Sequence, residues 1–246
     1  MKLVIRTVGT GSRTAALVHG AMMNGEVWRD MAAVLLDRYD LTLLLVDQRG
    51  HGDSPRSEHY TAADFAADLV ENLPGNLDFL IGQSLGGVSS AMACAAVRPK
   101  RFIGLDPAFA VTRRMSFVLR NIGPYVPQFP DRLLRAFDIP SPGSPPDTLA
   151  RLRAMWAKWD PAMMHPLIDA GKREPYVIAP PAVPSTLLLA EKSFAVPPRT
   201  AEALRELGWD VRVKPGAAHD LHVQDPRGVV DLLADILAPE RSPRAN

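Results

Sequence analysis

Leu77-Asp-Phe-Leu-Ile-Gly-Gln-Ser-Leu-Gly-Gly-Val-Ser-Ser-Ala-Met-Ala-Cys-Ala-Ala-Val97 joins a strand-length apolar run to an Ala-rich helical run through Gly82-Gln83-Ser84-Leu85-Gly86. A turn this sharp between strand and helix strains the backbone of the central serine. It also crowds the positions two residues away on either side, so that only small residues such as Gly82 and Gly86 fit there. The start of the following helix presents unused backbone N–H groups and the positive end of its dipole to any oxyanion that forms nearby. Five residues of the form G-x-S-x-G mean little alone. Between a strand and a helix they read as a nucleophile turn, with a Gly-rich junction and an incidental serine as the plain alternative.

Outward from this turn, apolar strand-length runs alternate with helix-like segments, the pattern of a mostly parallel sheet with helices on its faces. KLVIRTV, AALVHG, LTLLLVD, LDFLIG and RFIGLD read as strands. EVWRDMAAVLLDRY reads as a helix through the spacing of Val27, Met31, Val34 and Leu35, and YTAADFAADLVENL as another. The alternation stops between about Pro107 and Pro184, where GPYVPQFP and IPSPGSPPD are mixed with helical pieces such as TLARLRAMWAKW. Proline removes ladder donors and interrupts helices, so this stretch is expected to be a helical insertion over one end of the sheet. The rhythm resumes with STLLLA, TAEALRELG, DVRVKPG and PRGVVDLLADILA, and the tail PERSPRAN is expected to fray.

Composition excludes several classes of function. The 246 residues carry 28 basic and 27 acidic side chains, a net charge of +1, and no basic run suited to a phosphate backbone, so nucleic acid is not an expected partner. No segment approaches the roughly 18 apolar residues of a membrane span, and the N-terminus lacks the apolar core of an export signal. The single cysteine, Cys94, cannot form an internal disulfide and sits in an apolar helix, which suits a buried residue in a cytoplasmic protein.

A serine nucleophile needs a base. Of six histidines, His219 in KPGAAHDLHVQDP follows the last strand, where a loop can reach back over the sheet edge. His222 is its rival. HDLH has no further ligand cluster to complete a metal site, so no metal and no cofactor are expected. In LVHGAMMNG, the backbone N–H of Ala21 is placed to pair with that of Leu85 as an oxyanion hole, a plain turn at Gly20 being the alternative.

LVHGAMMNG, VDQRGHGDS, LIGQSLGG, LLLAEKSFAVP and GAAHDLH, in this order and approximate spacing, resemble the α/β-hydrolase fold superfamily across nearly the whole chain. The resemblance implies an eight-stranded, mostly parallel sheet with a helical cap inserted after strand six. On that reading residues 1–107 and 185–246 form the core and 108–184 the cap. It also implies Ser84 as nucleophile, His219 as base and the N–H groups of Ala21 and Leu85 as oxyanion hole, with His51 and Asp53 shaping a turn. Related dehalogenases and epoxide hydrolases carry an aspartate where this chain has Ser84.

The departure lies after STLLLA. Many relatives place there the acid that orients the histidine, whereas this chain reads Ala190-Glu191-Lys192-Ser193. Asp106, ending RFIGLD, is the expected replacement, because neighbouring strand ends both face the histidine loop. Glu191 and an unassisted Ser–His pair remain alternatives, and Asp220 is discounted. Met22, Met23, Trp28, Trp156 and Trp159 are candidate walls of an apolar pocket for a small-molecule substrate, although their spacing serves core packing equally well. These features imply a serine hydrolase of an ester, lactone or thioester. A ligand-binding protein with little turnover, or a C–C bond hydrolase or acyltransferase using the same serine, are the alternatives, and the sequence does not speak to oligomeric state.

Overall fold

A computed structural model describes residues 1–174, 176 and 178–238. The tail expected to fray, 239–246, lies outside these residues. Seven strands form one sheet: β1 (Val4–Val8), β2 (Arg13–Val18), β3 (Leu41–Asp47), β4 (Phe79–Gln83), β5 (Arg101–Leu105), β6 (Ser185–Ala190) and β7 (Asp210–Lys214). Their order is β1-β3-β2-β4-β5-β6-β7. β1 runs antiparallel to β3 at one edge, and every other pairing is parallel.

Successive residues of each central strand serve opposite cores, because side chains alternate across a strand. Ala15 and Leu17 of β2 face one way, with Leu43 and Leu45 of β3 and Ile81 of β4. They pack against Met31 and Leu35 of α1 (Arg29–Arg38) and Val229 and Val230 of α10 (Pro226–Leu232). Ala16, Val18 and Leu80 face the other way, onto Leu69 of α2 (Ala62–Asn72), Val88 and Cys94 of α3 (Leu85–Val97) and Leu204 of α8 (Pro198–Glu206). Both faces of the parallel strands are therefore dry, which is why LTLLLVD and STLLLA read as unbroken apolar runs.

The sheet corrects the expectation of eight strands. Each strand forms on one of the strand-length apolar runs, and no eighth run or strand occurs among the described residues. The helical stretch consequently follows β5, the strand that the resemblance counts as the sixth. It holds α4 (Arg113–Asn121), a 3-10 turn at Gly123–Gln128, α5 (Asp131–Ala136), α6 (Thr148–Trp156), a 3-10 turn at Pro161–Met163 and α7 (Met164–Arg173). Among the described residues, Pro161 opens a turn, Pro127 sits inside a 3-10 turn rather than an α-helix, and Pro166 falls in the first turn of α7, where a missing donor costs little.

This stretch is tied to the sheet-borne part by polar contacts. Arg29 meets Asp147 at 2.9 Å, Arg151 meets Asp30 at 2.8 Å, and the buried Tyr60 hydroxyl donates to Asp160 at 2.7 Å. Asp160 also donates its N–H to the Gly50 carbonyl at 2.8 Å. Beyond β7 lie α9 (Leu221–Gln224), α10 and α11 (Ala234–Leu237). No helix among the described residues is long and apolar enough to cross a membrane.

Candidate active site

Ser84 occupies the turn between β4 and α3 with φ 51° and ψ −117°, a conformation that L-residues rarely hold. Surrounding bonds impose it. Its N–H donates to Leu105 of β5 at 3.2 Å, and its carbonyl accepts from Gly87 at 3.0 Å and Ala108 at 3.1 Å. The two flanking glycines are steric necessities. A Cβ on Gly82 would lie 2.3 Å from the Gly86 carbonyl oxygen, and one on Gly86 would lie 2.3 Å from the Val18 carbonyl oxygen.

His219 stands opposite, on the loop between β7 and α9. Its Nε2 lies 2.9 Å from Ser84 Oγ, and its Nδ1 lies 2.6 Å from Asp106 Oδ2. Asp106 is fully buried, whereas His219 is one-fifth exposed. The other carboxylate oxygen, Oδ1, accepts the backbone N–H of Ala190 at the end of β6, at 3.2 Å. A carboxylate facing Nδ1 fixes the proton on that nitrogen and leaves the Nε2 lone pair toward the serine O–H. Burial alone would lower the His219 pKa, but the hydrogen bond and charge of Asp106, with a contribution from Asp220, outweigh it and raise the pKa above 6.5.

Two further residues hold the imidazole, and neither was singled out in the sequence. Phe194 packs its ring 4.4 Å from that of His219, and Gln83 Nε2 donates to the His219 carbonyl at 3.2 Å. A position next to Ser84 is the only local hint for Gln83; Phe194 gives none. Glu191 turns elsewhere and accepts the Gly216 N–H at 3.2 Å. Ser193 accepts the N–H groups of Ala195 and Val196 at 3.1 and 2.8 Å, shaping the loop that carries Phe194. Asp220 makes no hydrogen bond to the imidazole, and burial raises its own pKa.

The loop after β2 approaches the serine closely. A Cβ on Gly20 would lie 3.0 Å from Ser84 Cβ and 2.3 Å from Gln83 Oε1, so only glycine permits this approach. The neighbouring N–H groups of Ala21 and Leu85 take part in no hydrogen bond among the described residues. Two buried histidines brace this loop. His19 Nδ1–H donates to the Gly20 carbonyl at 2.7 Å while its Nε2 accepts the Gln48 N–H at 3.1 Å. His51 Nδ1–H donates to the Arg49 carbonyl at 2.9 Å while its Nε2 accepts the Met22 N–H at 3.2 Å. A ring that accepts a backbone N–H must be unprotonated there. Burial pushes the pKa of His19 down to about 4 and that of His51 to about 3. Asp53 pairs with Lys158 at 2.8 Å, away from Ser84.

The five candidate pocket residues fall in two clusters. Trp159 packs with Tyr60, Phe65 and Met163 against Ala21, Met22 and Leu85, beside the serine turn. Trp28 and Trp156 are buried in the core on the α1 face, and Met22 and Met23 pack against that core. No group of three or more potential metal ligands occurs among the described residues.

A sequence model of the Alpha/beta hydrolase family matches residues 16–232, and the chain belongs to that family. A pimeloyl-[acyl-carrier protein] methyl ester esterase of Edwardsiella ictaluri is 35% identical over 99 residues, which are 40% of this chain and 37% of that protein. A 2-(acetamidomethylene)succinate hydrolase of Mesorhizobium japonicum is 37% identical over 97 residues, 38% of this chain and 34% of that protein. The match thus spans little more than a third of these relatives' lengths. Among solved structures, an esterase from Exiguobacterium antarcticum superposes with a TM-score of 0.78 at 16% identity, covering 96% of this chain and 95% of the other. At that identity the likeness concerns the fold.

Proposed function

We propose that this chain is a serine hydrolase that cleaves an ester, lactone or thioester of an apolar small molecule through an acyl-Ser84 intermediate. The observation that carries the reading is the continuous row Asp106 Oδ2, His219 Nδ1, His219 Nε2, Ser84 Oγ, at 2.6 and 2.9 Å. Ser84 Oγ attacks the carbonyl carbon and passes its proton to His219 Nε2, while the N–H groups of Ala21 and Leu85 hold the developing oxyanion. The intermediate collapses, and the leaving oxygen or sulfur takes the proton from His219. Water then repeats the sequence on acyl-Ser84: it gives a proton to His219, attacks the acyl carbon, and the acid departs as Ser84 Oγ regains a proton. Asp106 keeps the imidazole in the working tautomer and stabilises its protonated form. Each step needs only groups of this chain, so no metal or cofactor is part of the proposal. The helical stretch 108–184 serves as a cap, the role suggested by the packing of Trp159 and Met163 against Ala21 and Leu85.

The relative named a methyl ester esterase supports carboxyl-ester chemistry over the other reactions open to an activated serine. A binding protein without turnover draws on Ser193 in place of an acid, and the Asp106–His219 bond speaks for the enzyme instead. Incubation with p-nitrophenyl butyrate tests the proposal. Steady release of p-nitrophenolate that is lost in Ser84→Ala is the expected result, and absence of turnover by the native chain would overturn it.

A further inference from the structure

Three buried nitrogen-bearing rings near the site have no hydrogen-bond partner among the described residues. They are His222, through both ring nitrogens, and Trp28 and Trp156, through Nε1. His222 is 1% exposed and lies on α9, three residues beyond His219. Its ring is 4.5 Å from that of Trp28, which is 0% exposed. Trp156 comes from α6, the helix that packs on the Gly25–Trp28 turn. Buried donors are almost always satisfied, and leaving one unpaired costs the full loss of its hydration. Two adjacent side chains with three unused nitrogens, one of them three residues from the histidine that bonds Ser84, imply that something polar completes them.

We propose that His222 and Trp28 form a subsite that binds a neutral oxygen substituent, a carbonyl or hydroxyl, on the acyl part of the substrate. The inference rests on the ester-hydrolase reading above and adds a requirement about which acyl groups are accepted. The acyl side is indicated by Met22 and Met23, which pack against the cluster of Trp28 and directly follow Ala21, the proposed oxyanion donor. An imidazole offers one N–H and one acceptor, and the indole one N–H, so a carbonyl oxygen with two lone pairs can take both donors. Neutrality follows from the surroundings. Burial, with the nearby His219, pushes the His222 pKa down to about 3, so the ring carries no charge to balance a carboxylate. A purely hydrocarbon acyl chain would leave both donors empty and bind less well in the transition state, because sites built around a polar group discriminate strongly against analogues that lack it.

The test compares p-nitrophenyl hexanoate with the 4-oxohexanoate and 5-oxohexanoate esters, each corrected for its hydroxide-catalysed rate. At least one oxo ester is expected to show kcat/KM at least about 10-fold above hexanoate. In Trp28→Phe and His222→Phe, both of which keep a ring in place, that ratio should fall toward one, and His222→Asn should retain part of it. Thermal unfolding establishes that each variant is folded. Equal rates for all three esters in the native enzyme would overturn the subsite while leaving the hydrolase reading intact, as would a ratio that survives both ring substitutions. Failure of every ester to react would overturn the hydrolase reading, and the subsite with it.

Discussion

Asp106 and Ala190 are joined across two neighbouring strand ends: carboxylate Oδ1 accepts the Ala190 N–H at 3.2 Å while Oδ2 faces His219. The carboxylate is therefore clamped by the strand whose own following acid, Glu191, turns away to the Gly216 N–H. A carboxylate held on one oxygen by a backbone donor has little freedom to rotate its other oxygen away from the imidazole. In Asp106→Asn the Ala190 N–H would select the amide oxygen, turning the amide nitrogen toward His219 Nδ1, where it can only donate. The imidazole would flip its proton to Nε2 and lose its lone pair toward Ser84. kcat is expected to fall by at least about 100-fold with the unfolding temperature little changed. Glu191→Gln, which touches only the Gly216 N–H, should stay near the native rate in the same assay.

The pH dependence of kcat/KM should report the same contact. In the proposed mechanism His219 serves as base only when neutral, and Asp106 raises its pKa above 6.5. Activity should therefore climb with pH and reach half its plateau above pH 6.5. Removing the charge in Asp106→Asn leaves burial opposed only by the smaller influence of Asp220, so the residual activity should titrate at lower pH. A midpoint that stays in place in the variant would show that Asp106 does not set it.

Tyr60 and Asp160 tie the helical insertion to the turn after β3. Tyr60 also accepts the Ser57 N–H at 2.9 Å, and burial together with Asp160 pushes its pKa up to about 12. Tyr60→Phe strands the Asp160 oxygen in a buried setting, a loss of about 1–3 kcal/mol. Limited proteolysis should then cut between residues 107 and 184 sooner than in the native chain, and an unchanged digestion pattern would contradict the coupling.

Stability should fall on mild acidification. His19 and His51 have folded pKa values of about 4 and about 3, below the unfolded value of 6.5, so the unfolded chain binds more protons below pH 6.5. Their contribution is complete above 6.5 and is lost as pH drops, at about 1.4 kcal/mol per pH unit for each ring. His219 works in the opposite sense: its raised pKa favours the folded state below 6.5 and loses that effect as pH rises. His222, lowered to about 3, acts in the same sense as His19 and His51. Urea unfolding at pH 7 and pH 5 measures the balance, and three neutral rings against one predict lower stability at pH 5.

Much of this architecture was legible because the deciding signals are local. Gly82 and Gly86 mark the serine turn, and the apolar runs mark strands dry on both faces. Element starts were less so. EVWRDMAAVLLDRY reads as one helix, yet Asn24 accepts the Glu26 N–H and winds Gly25–Trp28 into a 3-10 turn before α1 begins at Arg29. PRGVVDLLADILA likewise breaks at Leu233 into α10 and α11. The strand count failed because it came from resemblance rather than from a run of residues in this chain. Phe194 and Gln83 were invisible as participants, since what makes them notable is a contact with residues far along the chain, and His222 stood out only as a rival base, not as an unpaired buried ring.

The most direct measurement is the site of modification by a fluorophosphonate, mapped by mass spectrometry of proteolytic peptides. One adduct on Ser84, formed quickly by the native chain, far more slowly by Asp106→Asn and not by Ser84→Ala, is the predicted result. An adduct on another residue, or ester turnover that persists in Ser84→Ala, would contradict the account.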